Sequence, residues 1–116
     1  MDDELLLSVE REVLGWPGVD RDPDRRQVAL YRFGRRQIGH VHSDGVADLP
    51  FPKGVHDDLI SRGLAEPHRG GFPATVSYRI RDPADVAGAL DLFRLSYEHA
   101  KAAAKRREEK RPGSAR

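Results

Sequence analysis

Two histidines and an arginine share one short segment of the chain, Arg36-Gln-Ile-Gly-His40-Val-His42. Side chains alternate between the two faces of an extended strand, so the sequence predicts Arg36, Ile38, His40 and His42 on one face and the three intervening side chains on the other. An imidazole titrates near neutral pH, and two adjacent imidazoles can therefore take and return protons or, when neutral, bind a metal ion. Gly39, between them, leaves room for another part of the chain to approach closely.

Three interpretations of this pair are open. The histidines could be strand residues without a chemical role. A metal site would need further ligands, for which Asp48, His56 and His68 are available, but the spacing matches no compact metal motif and the chain has no cysteine. In the third interpretation they are acid–base residues of a pocket, with Asp48 fixing the tautomer of one ring and His68 approaching from a loop.

The elements that must position these residues follow from hydrophobic periodicity and turn signals. We predict an α+β domain in the order α-β-β-α-β-α, in which a small antiparallel sheet carries helices packed on one face. The predicted hairpin joins strands at 27–33 and 36–42, a helix covers 53–61, a third strand covers 75–80, and a long last helix begins at Asp82-Pro83. The segments 16–24 and 66–73 are predicted as loops, and the Pro50-Phe51-Pro52 turn is expected to prevent regular strand pairing.

Charge divides the 116-residue chain into two parts, a domain at 1–100 and a basic helical extension with a disordered tail at 101–116. The first part has four more acidic than basic residues, and the second has five more basic than acidic ones. Nucleic-acid binding is therefore not expected of the domain and would have to use the extension. No apolar run approaches a membrane span and the first residues are acidic, so we expect a cytoplasmic protein without membrane contact.

Four stretches of the chain together resemble the luciferase-domain family. They are the Arg36–His42 segment, Ala47-Asp48-Leu49-Pro-Phe-Pro, Gly63-Leu-Ala-Glu-Pro-His68 and Leu95-Ser96-Tyr97. The family contains many short actinobacterial proteins of unknown function and, as distant members, the fungal bioluminescence luciferases. The resemblance covers roughly residues 14–99.

The resemblance implies an activity and a set of site residues. Fungal luciferases oxygenate a hydroxylated α-pyrone with molecular oxygen, through an endoperoxide and loss of carbon dioxide, and use neither a metal nor an organic cofactor. Their pattern matches this chain at Arg36, His40, His42, His68 and Tyr97. At one position it departs, because Asp48 stands where the fungal proteins have a histidine.

The sequence thus predicts a small-molecule-binding protein, resembling fungal luciferase, that oxygenates an enolisable pyrone or aromatic compound without a cofactor. His40 or His42 would be the base, Arg36 would stabilise the enolate and reduced oxygen, and Asp48 and His68 would complete the catalytic group. The aromatic side chains expected to bind the substrate are Trp16, Phe51 and Tyr97. The alternative is a non-catalytic ligand-binding or interaction module, with nucleic-acid binding as a third interpretation.

Overall fold

The computed structural model describes residues 3–25 and 27–110 and confirms the α+β class. Its elements in chain order are α1 (Asp3–Leu14), β1 (Val19–Arg21), β2 (Val28–Phe33), β3 (Arg36–His42), β4 (Val46–Pro50), α2 (Lys53–Ser61), β5 (Glu66–Pro67), β6 (Thr75–Arg79) and α3 (Pro83–Lys110). The predicted order was therefore incomplete, since it lacked β1, β4 and β5. Within the extension, α3 continues to Lys110, and the predicted disordered tail at 111–116 lies outside the described residues.

The missing strand that matters most is β4, which lies between β3 and β6 in the sheet. Proline cannot donate a ladder hydrogen bond, and this was the reason to expect no pairing near Pro50. The structure places Pro50 at the end of β4 opposite Thr75, and Phe51 continues the pairing with a hydrogen bond from its N–H to the Ala74 carbonyl (2.8 Å). Pro50 is therefore the last residue of a central strand, and it does not prevent that strand from pairing with its neighbour.

The six strands form one antiparallel sheet in the order β1-β2-β3-β4-β6-β5. Helices α1 and α3 pack together and α3 also packs against the middle strands, as the prediction of helices on one face requires. The side chains beneath them form the core, to which the sheet contributes Ala29, Tyr31, Val41, Ala47, Leu49 and Val76. Polar side chains are consequently directed to the opposite face of β3, β4 and β6.

A bulge in β3 changes which side chains face the core. Tyr31 pairs with Gly39 while the next residue, Arg32, pairs with Gln37, so Ile38 is an extra residue in the ladder. Simple alternation predicted Ile38 beside the histidines and Gln37 on the other face, and this assignment was wrong. Ile38 is fully buried in the core, whereas Gln37 lies on the histidine face.

Helix α3 is anchored to the rest of the domain by aromatic side chains. The Tyr97 ring lies 5.3 Å from Trp16 and 5.6 Å from Phe33, and its hydroxyl donates a hydrogen bond to the Pro17 carbonyl (2.7 Å). One turn earlier, Phe93 packs against Gly39 of β3. Over the residues described, none of the three helices has an apolar stretch that could cross a bilayer.

Candidate functional site

A row of polar side chains crosses the sheet on the face away from α1 and α3. His40 pairs with Asp48, Asp48 pairs with Ser77, and Ser77 pairs with Glu66, so one residue from each of four neighbouring strands lies in register. Directly paired residues point to the same side of a sheet with their Cβ atoms about 5 Å apart. This row positions the candidate site on rigid backbone.

Asp48 is the centre of the site. It is 3% exposed, and its Oδ1 atom accepts a hydrogen bond from the Ser77 hydroxyl (2.6 Å). Three imidazole Nε2 atoms surround its Oδ2 atom, from His42 at 2.7 Å, His40 at 3.3 Å and His68 at 3.5 Å. The structure therefore brings together four of the residues predicted from the sequence.

The Asp48 carboxylate is ionised in this setting. Burial alone would raise its pKa, but hydrogen bonds from Ser77 and His42 and the charges of His68 and His40 outweigh burial and lower the pKa below its ordinary value. A buried carboxylate stays charged only when such donors replace the lost water. Asp48 is thus a fixed acceptor that orients the rings around it.

The imidazoles of His42 and His68 differ in the hydrogen bonds that their two ring nitrogens make. His42 donates its Nε2 proton to Asp48, and its Nδ1 atom has no hydrogen bond to any other described residue. His68 accepts a hydrogen bond at Nδ1 from the Gly70 backbone N–H (2.9 Å), so its proton is on Nε2, the atom that faces Asp48. Of these two rings, only that of His42 retains a free lone pair.

The third imidazole, His40, is held by Gln37. Its Nδ1 atom lies 2.8 Å from the Gln37 side-chain amide, and its Nε2 atom lies 3.3 Å from Asp48 Oδ2, where a proton on Nε2 is donated to the carboxylate. Burial lowers the pKa of His40, because the loss of water outweighs the attraction of Asp48, and the charges of His42 and His68 lower it further. His40 is therefore neutral at pH 7.

We expect this neutral imidazole to make the protein less stable in mild acid. As pH falls through 6.5, the ordinary pKa of histidine, the unfolded chain takes up a proton that folded His40 does not bind until its lower pKa is reached. The free energy of unfolding, measured by urea titration between pH 7.5 and 5, should therefore decrease on acidification. The decrease should be smaller in the His40→Gln variant, which has no imidazole at this position. An equal dependence of the free energy of unfolding on pH in both proteins would contradict the lowered pKa of His40.

A cavity of about 230 Å³ adjoins this cluster. Its floor includes His42, Asp48, His68 and Ser77, and its walls come from the β3–β4 turn, β5 and β6. The walls contribute the charged residues Asp44, Glu66, Arg69 and Arg79. The size is below that of most drug-binding pockets and suits a ligand with a single ring.

The same side chains are the ones that could hold a metal ion. His40, His42 and Asp48 each offer a ligand atom, and these atoms lie within 4.8 Å of one another. Two histidines with one carboxylate suit iron or zinc. The 2.7 Å contact between His42 and Asp48 is the length of a charge-assisted hydrogen bond, so an ion bound here would take the place of that proton.

Other predicted site residues lie elsewhere in the fold. Arg36 pairs with Phe33, whose ring contacts Tyr97 on the helix side, and it lines a separate cleft with Arg106 of α3. The structure does not bring its guanidinium to the imidazoles. The bulge is the reason, because it reverses the faces between Arg36 and His40.

The aromatic residues predicted to bind substrate are also separated from the cavity. Trp16 and Tyr97 stack on each other in the core, and Phe51 is buried against His99 of α3. None of the three lines the cavity beside Asp48. His56, considered as a fourth metal ligand, is on α2 and contacts Asp57 instead.

Sequence reasoning missed three residues of the site: Gln37, Ser77 and Arg79. A signal existed for two of them. The alternation that places Val76 and Tyr78 towards the core also directs Ser77 and Arg79 to the opposite face. No comparable signal existed for Gln37, because the bulge depends on strand pairing.

Comparison with known proteins identifies the family of the chain. No curated protein and no solved structure gives a significant match to the chain. The family model described as "Luciferase domain" matches residues 35–96, more than half of the chain. The matched segment contains all four residues of the Asp48 cluster and ends one residue before Tyr97. The chain therefore belongs to the luciferase-domain family.

Proposed function

We propose that this luciferase-like protein binds a small enolisable ligand, a pyrone or an aromatic compound, and promotes its oxygenation by molecular oxygen without a cofactor. The observation that carries the proposal is the convergence of three imidazoles on one oxygen of buried Asp48 beside a cavity. Family membership supports luciferase-like chemistry, and the geometry supports proton transfer at this position.

His42 is the base in this proposal. It lines the cavity, its ring is held by Asp48 through Nε2, and its Nδ1 atom is available to take a proton. A histidine whose second nitrogen donates to a carboxylate has a fixed orientation, and its imidazolium form is stabilised by that carboxylate. Removing the ligand's enol proton leaves an electron-rich enolate, which is the form that reacts with oxygen.

The chemistry balances with oxygen as the only co-substrate. The enolate carbon donates an electron pair to oxygen, a carbon–oxygen bond forms, and oxygen is reduced to a peroxide. The proton held by His42 can then return to the outer peroxide oxygen. For a pyrone, ring closure to an endoperoxide and loss of carbon dioxide would follow.

Oxygen uptake by the purified protein tests the proposal. With a 4-hydroxy-2-pyrone as the probe and an oxygen electrode as the detector, we expect consumption above the protein-free rate. Uptake should be unchanged after dialysis against a strong chelator, since no step uses a metal ion. Loss of uptake on chelation with recovery on adding a divalent ion would overturn the cofactor-free mechanism. Binding of the pyrone without uptake would instead identify a non-catalytic ligand-binding module.

A further inference from the structure

Arg79 is a partly buried cation in the wall of the cavity. It lies on β6 two residues after Ser77, on the same face of the sheet, and pairs in register with Val46 of β4. Its guanidinium takes part in no ion pair or hydrogen bond within residues 3–25 and 27–110. A partly buried guanidinium that has no partner among these residues is available to a ligand that brings a negative charge.

The other charges around the cavity are either satisfied or exposed. Asp48 already accepts hydrogen bonds at both carboxylate oxygens. Asp44 and Glu66 are exposed, where water and salt screen their charges, and Asp44 also accepts the N–H of Val46 in a turn. Arg69, also exposed, adds a second positive charge at the rim. Arg79 is therefore the least screened uncompensated charge facing the ligand.

We propose that the ligand of this site is a single-ring carboxylate, bound with its carboxylate on Arg79 and its ring towards His42 and Asp48. The planar guanidinium fork matches a carboxylate through two parallel hydrogen bonds. The cavity volume of about 230 Å³ admits one ring with a short substituent. The inference rests on the proposed function for the location of the site, and it adds the chemical class of the ligand.

Arg79, and not the Arg36 predicted from the sequence, is the arginine of the two that lines this cavity. Arg36 is on the other side of the sheet, next to α3. Replacing Arg79 changes the lining of the cavity and replacing Arg36 does not, so the Arg36 variant is the control for the Arg79 variant.

The test compares the binding of 2-pyrone-5-carboxylate with that of its neutral amide, which has nearly the same shape. By isothermal titration or ligand-observed NMR, the wild-type protein should bind the carboxylate at least about tenfold more tightly, as a charge-assisted bidentate contact requires. Arg79→Gln should bind both compounds equally, with its affinity for the amide unchanged. Arg79→Lys should keep part of the preference, and Arg36→Gln should keep all of it.

Three outcomes would overturn the inference: no binding of either compound at millimolar concentration, equal binding of both by the wild type, or a carboxylate preference that survives in Arg79→Gln. Oxygen uptake separates this inference from the proposed function. A preference that depends on Arg79 in a protein that consumes no oxygen would support the carboxylate site and remove the oxygenation proposal. Oxygen uptake with a neutral pyrone, together with equal binding of the carboxylate and the amide, would support the oxygenation proposal and remove the carboxylate site.

Discussion

Replacing His42 with glutamine should lower the rate of pyrone-dependent oxygen uptake by a factor of about 10² to 10⁴, the usual contribution of a positioned general base. The glutamine amide reaches the position of Nε2 and can still donate a hydrogen bond to Asp48, so the buried carboxylate keeps a donor while the proton acceptor is lost. Steady-state oxygen-electrode measurements at saturating pyrone would show the change in kcat. The affinity for the ligand, measured separately by titration, should change much less.

His56→Gln is the matched control for this experiment. His56 also contacts an aspartate, Asp57, but it lies on α2 and does not line the cavity. Its variant should retain the wild-type rate, which separates a specific effect of His42 from a general effect of losing an imidazole. The assignment of His42 as the base would be contradicted by a kcat within threefold of wild type in folded His42→Gln. His40→Gln would then be the next variant to measure, since the sequence left both histidines open.

The common face of His40 and His42 was predictable because it depends on short-range geometry. His40 and His42 are two residues apart in a strand, so a common face follows from the pleat alone. Asp48 and His68 required a tertiary contact, and the resemblance to the luciferase-domain family pointed to His68. The structure places both against the same two rings.

The wrong assignment of side chains to the two faces of β3 has one physical cause, the bulge at Ile38. A bulge inserts one residue into one strand of a pair, and every side chain beyond it changes face. Arg36 is thereby separated from His40, while Gln37 comes within hydrogen-bond distance of His40. A bulge is a property of two paired strands, and the alternation within a single strand cannot reveal it.

The misassigned aromatic residues illustrate a different limit. A large apolar ring fits equally well in a core or in a pocket wall, and composition does not distinguish them. In this fold, α3 covers the face opposite the imidazoles, so Trp16, Phe51 and Tyr97 are all used to hold the helix in place. None of these three rings is therefore left to line the cavity beside Asp48.

Gly39 faces the core from β3, next to His40 in the chain. Of the substitutions proposed here, those at Gly39 should lower the free energy of unfolding most. A Cβ atom at this position would lie 2.6 Å from the Phe93 ring, 3.1 Å from Leu49 and 3.2 Å from the Asp48 carbonyl oxygen. Because Phe93 is fully buried, its ring has little room to move away. We expect Gly39→Ala to lower the free energy of unfolding by about 1–3 kcal/mol, and Gly39→Val to lower it further, as overpacked cores do. Urea denaturation followed by circular dichroism would measure both changes.

Two comparisons test the cause of this loss. Gly54→Ala on α2 is the control, because nothing lies within 4 Å of the added Cβ, and the change should be neutral or stabilising by up to about 1 kcal/mol. Phe93→Leu shortens the opposing side chain, so in the double variant with Gly39→Ala the cost of the alanine should shrink, which a double-mutant cycle would show as favourable coupling. Additive effects in that cycle would mean that the contact with Phe93 is not what requires glycine. Gly39 lies on β3, the strand that also holds His40 and His42 against Asp48.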